Sequence, residues 1–229
     1  MKTLFLMAGV AALIGVPRAN ATIEIRLINT AGSGDTGWVT NPGNVITFNG
    51  VVGNYTVNIS TGLNLGSLGL NPFLDLNSID ATTGGTSPGT LLIETIANGY
   101  TISSPQFGLE VGGTSSLGGT DTFTAYGGNN NGFCPAGTNT CSPTSLSLTN
   151  LASLSFNSSP FSGSQFSAVG SASPYSLAIA ASIAGVNAGS ASFDSALNAV
   201  PEPASGALLG GVLLVSVRAI RRRAQARRA

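Results

Sequence analysis

From residue 22 to residue 199, apolar side chains fall at every second position in short runs, separated by glycine, asparagine and proline. Ile23, Ile25 and Leu27 alternate with Glu24 and Arg26, and Tyr55, Val57 and Ile59 with Thr56 and Asn58. Phe107, Leu109 and Val111 repeat the pattern, as do Phe123 and Ala125 among threonines. A strand turns successive side chains to opposite faces, so each run makes one greasy face and one polar one. The same stretch contains no long run with helical period. The expectation is all-β: an antiparallel β-sandwich-like body over residues 22–199. Two Asn-Gly pairs mark expected hairpins, because both central positions of a type I′ turn need positive φ. Asn49-Gly50 would join residues 45–48 to Val51 and Val52, and Asn98-Gly99 would join residues 91–96 to 100–102. A turn around residues 187–189 separates two further runs, 175–183 and 190–197. Residues 113–164, rich in Gly, Ser, Thr and Asn, read as a region of long loops.

Charge separates this body from its ends. Charged residues make up 8% of the 229, against roughly 25% in an ordinary soluble domain. There is no histidine. Lys2 and Arg18 lie near the start, six arginines lie after residue 217, and Arg26 is the one base between. Eight acids share the body with it, for a net charge of about −7 (one base minus eight acids). Such a body repels nucleic acid and anionic lipid.

Residues 1–21 have the form of a signal peptide: Lys2, an apolar core over 4–16, Pro17, then Ala19-Asn20-Ala21. The core is too short to span a bilayer comfortably, and the small residues Ala19 and Ala21 fit signal peptidase. Export through the Sec translocon and cleavage after Ala21 are expected, with an N-terminal signal helix before the cut. Residues 200–229 place two prolines before an apolar run, 204–217, and then arginines. Extended to Ile220, with Arg218 reaching back to the headgroups, the run makes one expected C-terminal transmembrane helix. Arg221, Arg222 and Arg223 would stop it on the cytoplasmic side.

Val200-Pro201-Glu202-Pro203, the short Gly/Leu-rich run and the arginine cluster together resemble the PEP-CTERM sorting signal. The resemblance covers about 30 residues. It implies recognition of Pro201, Glu202 and Pro203 by an exosortase-type membrane enzyme, with Arg218, Arg221, Arg222 and Arg223 as the cytoplasmic stop. These are substrate residues. Proteins with this signal occur in Gram-negative bacteria that carry exopolysaccharide or biofilm gene sets. Residues 71–78, 173–177 and 192–194 also resemble a recurrent type of PEP-CTERM body, which implies no catalytic role.

The body offers little chemistry. Cys134 and Cys141 suggest a small disulfide loop in an exported chain, with free thiols or a metal pair as the alternatives. Zinc needs ligands that a chain with two cysteines and no histidine lacks. Gly32-Ser33-Gly34-Asp35-Thr36-Gly37 matches G-x-G-x-x-G, but Pro42-Gly43 interrupts where the phosphate-binding helix should start. Residues 75–80 supply oxygens without the glycine and glutamate of an EF-hand, and read as a solvated loop with Asx turns or a weak calcium contact. No Ser-His-Asp or Ser-Lys arrangement can be assembled. Trp38, Tyr55, Tyr100, Tyr126 and Tyr175 either fill the core or form a sugar-stacking platform, for which Trp38 is the candidate sugar contact.

The expectation is thus a non-enzymatic, exported cell-envelope or matrix protein without cofactor or metal, associated with biofilm or exopolysaccharide. A carbohydrate-binding module is the alternative. A glycoside hydrolase, needing two carboxyls about 5–10 Å apart in a cleft, ranks below both.

Overall fold

The alternation becomes strands, and no helix occurs among the described residues. The computed structural model of the chain describes residues 22–32, 34–64, 72–101, 104, 106–167, 170–172 and 174–200. The signal segment with Ala19 and Ala21, and the tail with Pro201, Glu202, Pro203, Arg218, Arg221, Arg222 and Arg223, lie outside them. So do both expected terminal helices.

Twelve strands form among the described residues: β1 (Ile23–Asn29), β2 (Val39–Asn41), β3 (Val45–Val52), β4 (Tyr55–Asn64), β5 (Phe73–Thr83), β6 (Gly89–Tyr100), β7 (Gln106–Ser115), β8 (Gly118–Gly128), β9 (Thr149–Phe156), β10 (Phe161–Phe166), β11 (Tyr175–Gly185) and β12 (Gly189–Val200). One sheet has the order β2-β1-β6-β11-β8-β9 and the second β10-β7-β12-β5-β4-β3. All pairings are antiparallel. Inward side chains from both sheets make one core. At one pole Tyr100 stacks on Tyr175 at 5.1 Å, and Phe107 meets Tyr175 edge-on. At the other pole Phe123 contacts Phe156, Phe161 and Phe193.

β1 begins, and β12 ends, at the tyrosine pole. Ile23 pairs with Ala97, three residues before Tyr100. The Tyr100 hydroxyl donates to the Phe73 carbonyl, and Phe73 pairs with Asn198. Thr22 exchanges bonds with Asn98: its amide donates to Asn98 Oδ1, and its carbonyl accepts from the Asn98 amide.

Neither expected Asn-Gly hairpin forms. Asn49 and Gly50 continue inside β3, paired with Asn58 and Val57, and the chain reverses at Gly53-Asn54. Gly53 has φ of 56°, and a Cβ there would come within 2.7 Å of the Asn29 Cβ. That site needs glycine both for its backbone and for its space. Asn98 and Gly99 lie inside β6, where Gly99, at φ of 84°, makes a bulge: Tyr175 pairs with Tyr100 but Leu177 with Ala97. The turn around 187–189 joins β11 to β12, but these strands lie in different sheets, so it is a crossover. Most of the expected loop region 113–164 is also strand, namely β8, β9 and β10, and its one long connection is 129–148.

Candidate functional site

Residues 129–148 cross the outer face of the β1–β6–β11 sheet as a lid, and this explains why β6 is buried on both faces. Cys134 and Cys141 are disulfide-bonded, with Cα atoms 5.6 Å apart. A second apolar cluster forms beneath: Trp38, Ile96, Cys134, Leu148 and Ala178, with Tyr126 and Leu146 against it. Polar clamps hold the lid down. Arg26 donates through Nη1 to the Cys141 carbonyl (3.1 Å) and through Nη2 to the Asn139 carbonyl (2.7 Å). It also pairs in a fork with Asp35, Nε to Oδ1 and Nη2 to Oδ2. This pairing raises the Arg26 pKa and, with the Gly37 amide assisting, lowers that of Asp35. The Trp38 indole donates to the Cys141 carbonyl at 3.1 Å, and Gly137 and Thr138 pair with the Trp38 backbone.

Two carboxyls are enclosed with Arg26. Glu24 Oε2 accepts from the Cys134 amide, and its Oε1 from the Thr40 hydroxyl. Glu94 lies opposite Arg26 in the β1–β6 ladder, with Oε2 at 4.0 Å from Nη1. Burial pushes both up to about 7, against the hydrogen bonds to Glu24 and the Arg26 charge beside Glu94. Neither offers an accessible reacting group, because Glu24 is fully buried and Glu94 is 6% exposed.

The outer face of the second sheet is open. Asp75, Asp80, Glu110 and Asp194 lie there, on β5, β7 and β12. Ladder partners bring them together: Ala196 sits between Asp75 and Glu110, and Ser192 is opposite Asp80. Burial raises the Asp75 pKa and the nearby Asp194 charge adds to it, while Asn77 Nδ2, donating to Oδ2, opposes. A depression of about 260 Å³ opens beside Asp75, lined by Val45, Ser60, Gly62, Phe73 and Asn77. It combines an aromatic edge, a carboxylate, an amide and a hydroxyl, the donor set that orients a polyhydroxylated ligand.

The structure corrects several site expectations. Trp38 is 2% exposed and bound into the lid, so it presents no face to a sugar. Tyr55, Tyr100 and Tyr175 are fully buried, so with Trp38 they follow the core-filling alternative and form no stacking platform. Residues 75–80 are strand β5 with a bulge at Asn77-Ser78, where Ser78 takes φ of 51° and its amide donates to Asp194 Oδ1. The bulge has a visible signal, since the apolar positions 74, 76, 79 and 81 skip one residue there. The expected disulfide is present. Within the glycine motif Asp35 bridges to Ile28, and the short strand β2 follows where a nucleotide site would need a helix.

No family profile matches this chain, and no curated protein matches it at a significant level. Solved structures similar in part include the enzymatically active domain of tailspike protein 4 of bacteriophage CBA120, at 11% identity and TM-score 0.31, covering 64% of this chain and 19% of that one. The K1 cleaved adhesin domain of Lys-gingipain from Porphyromonas gingivalis matches at 10% identity and TM-score 0.31, over 78% and 91%. A family 11 carbohydrate-binding module of a Clostridium thermocellum cellulosomal cellulase matches at 13% and 0.29, over 70% and 90%. Likeness at this level assigns neither ligand nor activity to the chain.

Proposed function

We propose that this is a non-enzymatic, exported envelope or matrix protein, delivered to the cell surface through a C-terminal PEP-CTERM signal. The observation that carries the proposal is how closely the sandwich abuts both signals. β1 starts at Ile23, one residue after the expected mature N-terminus, and β12 ends at Val200, immediately before Pro201-Glu202-Pro203. β12 is a central strand held by β5 and β7, so a folded body leads straight into the sorting motif. The disulfide fits an oxidising compartment outside the cytoplasm. A chain lacking residues 201–223 should lose tail processing and surface delivery in its host. Unchanged processing and localisation would contradict the proposal.

A second reading rests on the depression beside Asp75. Binding of an extracellular polysaccharide there would use Phe73 as an apolar edge and Asp75, Asn77 and Ser60 as polar contacts. Asp75→Ala should weaken retention on immobilised exopolysaccharide about tenfold, as expected for a lost charge-assisted hydrogen bond. Retention equal to that of the parent chain would remove this reading and leave the sorting proposal intact.

A further inference from the structure

The pole opposite Thr22 and Val200 holds a carboxylate that the folded chain leaves half-satisfied. Asp121, near the start of β8, turns inward between the sheets and is 2% exposed. Its Oδ1 and the Ser115 hydroxyl nearby, at the end of β7, face each other without forming a well-aligned hydrogen bond. Both residues line a cavity of about 80 Å³, whose other walls are Gly118, Gly119 and residues 156–159. Ser115 and Ser159 are tied across it, the Ser115 amide donating to the Ser159 hydroxyl at 3.0 Å. Asn157, Ser158, Ser159 and the backbone supply neutral oxygens to the remaining wall, and the Phe156 ring closes it on the core side.

No side-chain cation of the body can serve Asp121. Arg26 is the sole base from residue 22 to residue 200, and it is committed to Asp35 and the lid. A buried carboxylate without a counter-charge is costly, and either a proton or a bound cation relieves it. Burial raises the Asp121 pKa, and the weak hydrogen-bond contacts of the Ser115 side chain and the Ala184 amide only partly oppose it. The Tyr55 hydroxyl, donating to the Gly89 carbonyl, is near enough that the Asp121 charge adds to the burial that pushes it up to about 12.

We infer that this cavity is a calcium site, with Asp121 Oδ1 and Ser115 Oγ as protein ligands and carbonyl, hydroxyl and water oxygens completing the shell. One carboxylate among neutral oxygens in an irregular, partly open cavity suits calcium, which accepts six to eight oxygens in flexible geometry. Magnesium demands a near-ideal octahedron and suits the site less well. A single charge sets the affinity in the weak range of extracellular modules, about 0.1–1 mM.

The test titrates calcium chloride into purified, chelator-treated full-length protein, following thermal unfolding and tyrosine-sensitised terbium luminescence. The wild type should gain several degrees in unfolding midpoint and show luminescence that calcium displaces. Asp121→Asn should lose the response or require about tenfold more calcium, and Ser115→Ala should weaken it while leaving the fold intact. No response of the wild type at about 10 mM calcium would overturn the inference and leave a proton as the partner of Asp121. An unchanged response in both variants would also overturn it, placing any calcium elsewhere, such as the acidic outer face. If Asp121→Asn fails to fold, Ser115→Ala alone decides.

Discussion

Arg26 does the work of several residues. It is the only base of the body, and it joins a sheet face, a loop acid and two lid carbonyls. Its neighbours Glu24 and Glu94 make stability depend on pH in a defined direction. Their folded values of about 7 exceed the ordinary 4.5, so between these limits the folded chain holds protons that the unfolded chain has released. Their contribution to stability therefore falls as pH rises from about 4.5 to about 7 and is level above that. Glu94→Gln removes one such group. It should stabilise the protein by about 1 kcal/mol at pH 8, change little at pH 4.5, and flatten the slope between. Urea unfolding at the two pH values checks this; a loss of stability at pH 8 that shrinks at pH 4.5 would show instead that Glu94 is ionised and acts through its pairing with Arg26. Burial of Trp38 was one of the two readings the sequence offered, but the lid that buries it was not legible. The indole bonds a carbonyl 103 positions away, and nothing in the local pattern announces a lid.

At the scale of elements, strand existence was legible and strand ends were less so. Alternation placed β1, β4, β7 and β8 because each buries one face on a shared core. The Asn-Gly pairs misled because glycine with positive φ serves a bulge as readily as a turn, as at Gly99. Gly53-Asn54 turned the chain instead, where Gly53 packs against Asn29. β9 and β10, and the glycine-rich ends of β8, were obscured by glycine, serine and threonine, which make poor hydrophobic signals even where they line a ladder. The disulfide was legible from two cysteines in a chain expected to be exported, but the face it covers was not. Closing so short a loop should contribute about 2–3 kcal/mol. Reduction, or the double change Cys134→Ser and Cys141→Ser, should lower stability by that amount and open 129–148 to protease first. Cleavage that begins elsewhere would show that the Arg26 and Trp38 bonds hold the lid without the crosslink.

At the scale of the whole molecule, polarity follows from where the strands end. Residues Thr22 and Val200 lie at the tyrosine pole, whereas Asp121 and its cavity lie at the far one. A body tethered at its tail would therefore hold the tyrosine pole toward the membrane and the Asp121 cavity outward. The acidic outer sheet would stand along its side, bare of basic residues. Intact-mass analysis of the protein recovered from the surface of its own host tests the account most directly. The account predicts a chain that begins at Thr22, carries the oxidised Cys134–Cys141 pair, and has lost Arg221, Arg222 and Arg223. A cytoplasmic chain that retains Met1 and its terminal arginines would contradict it.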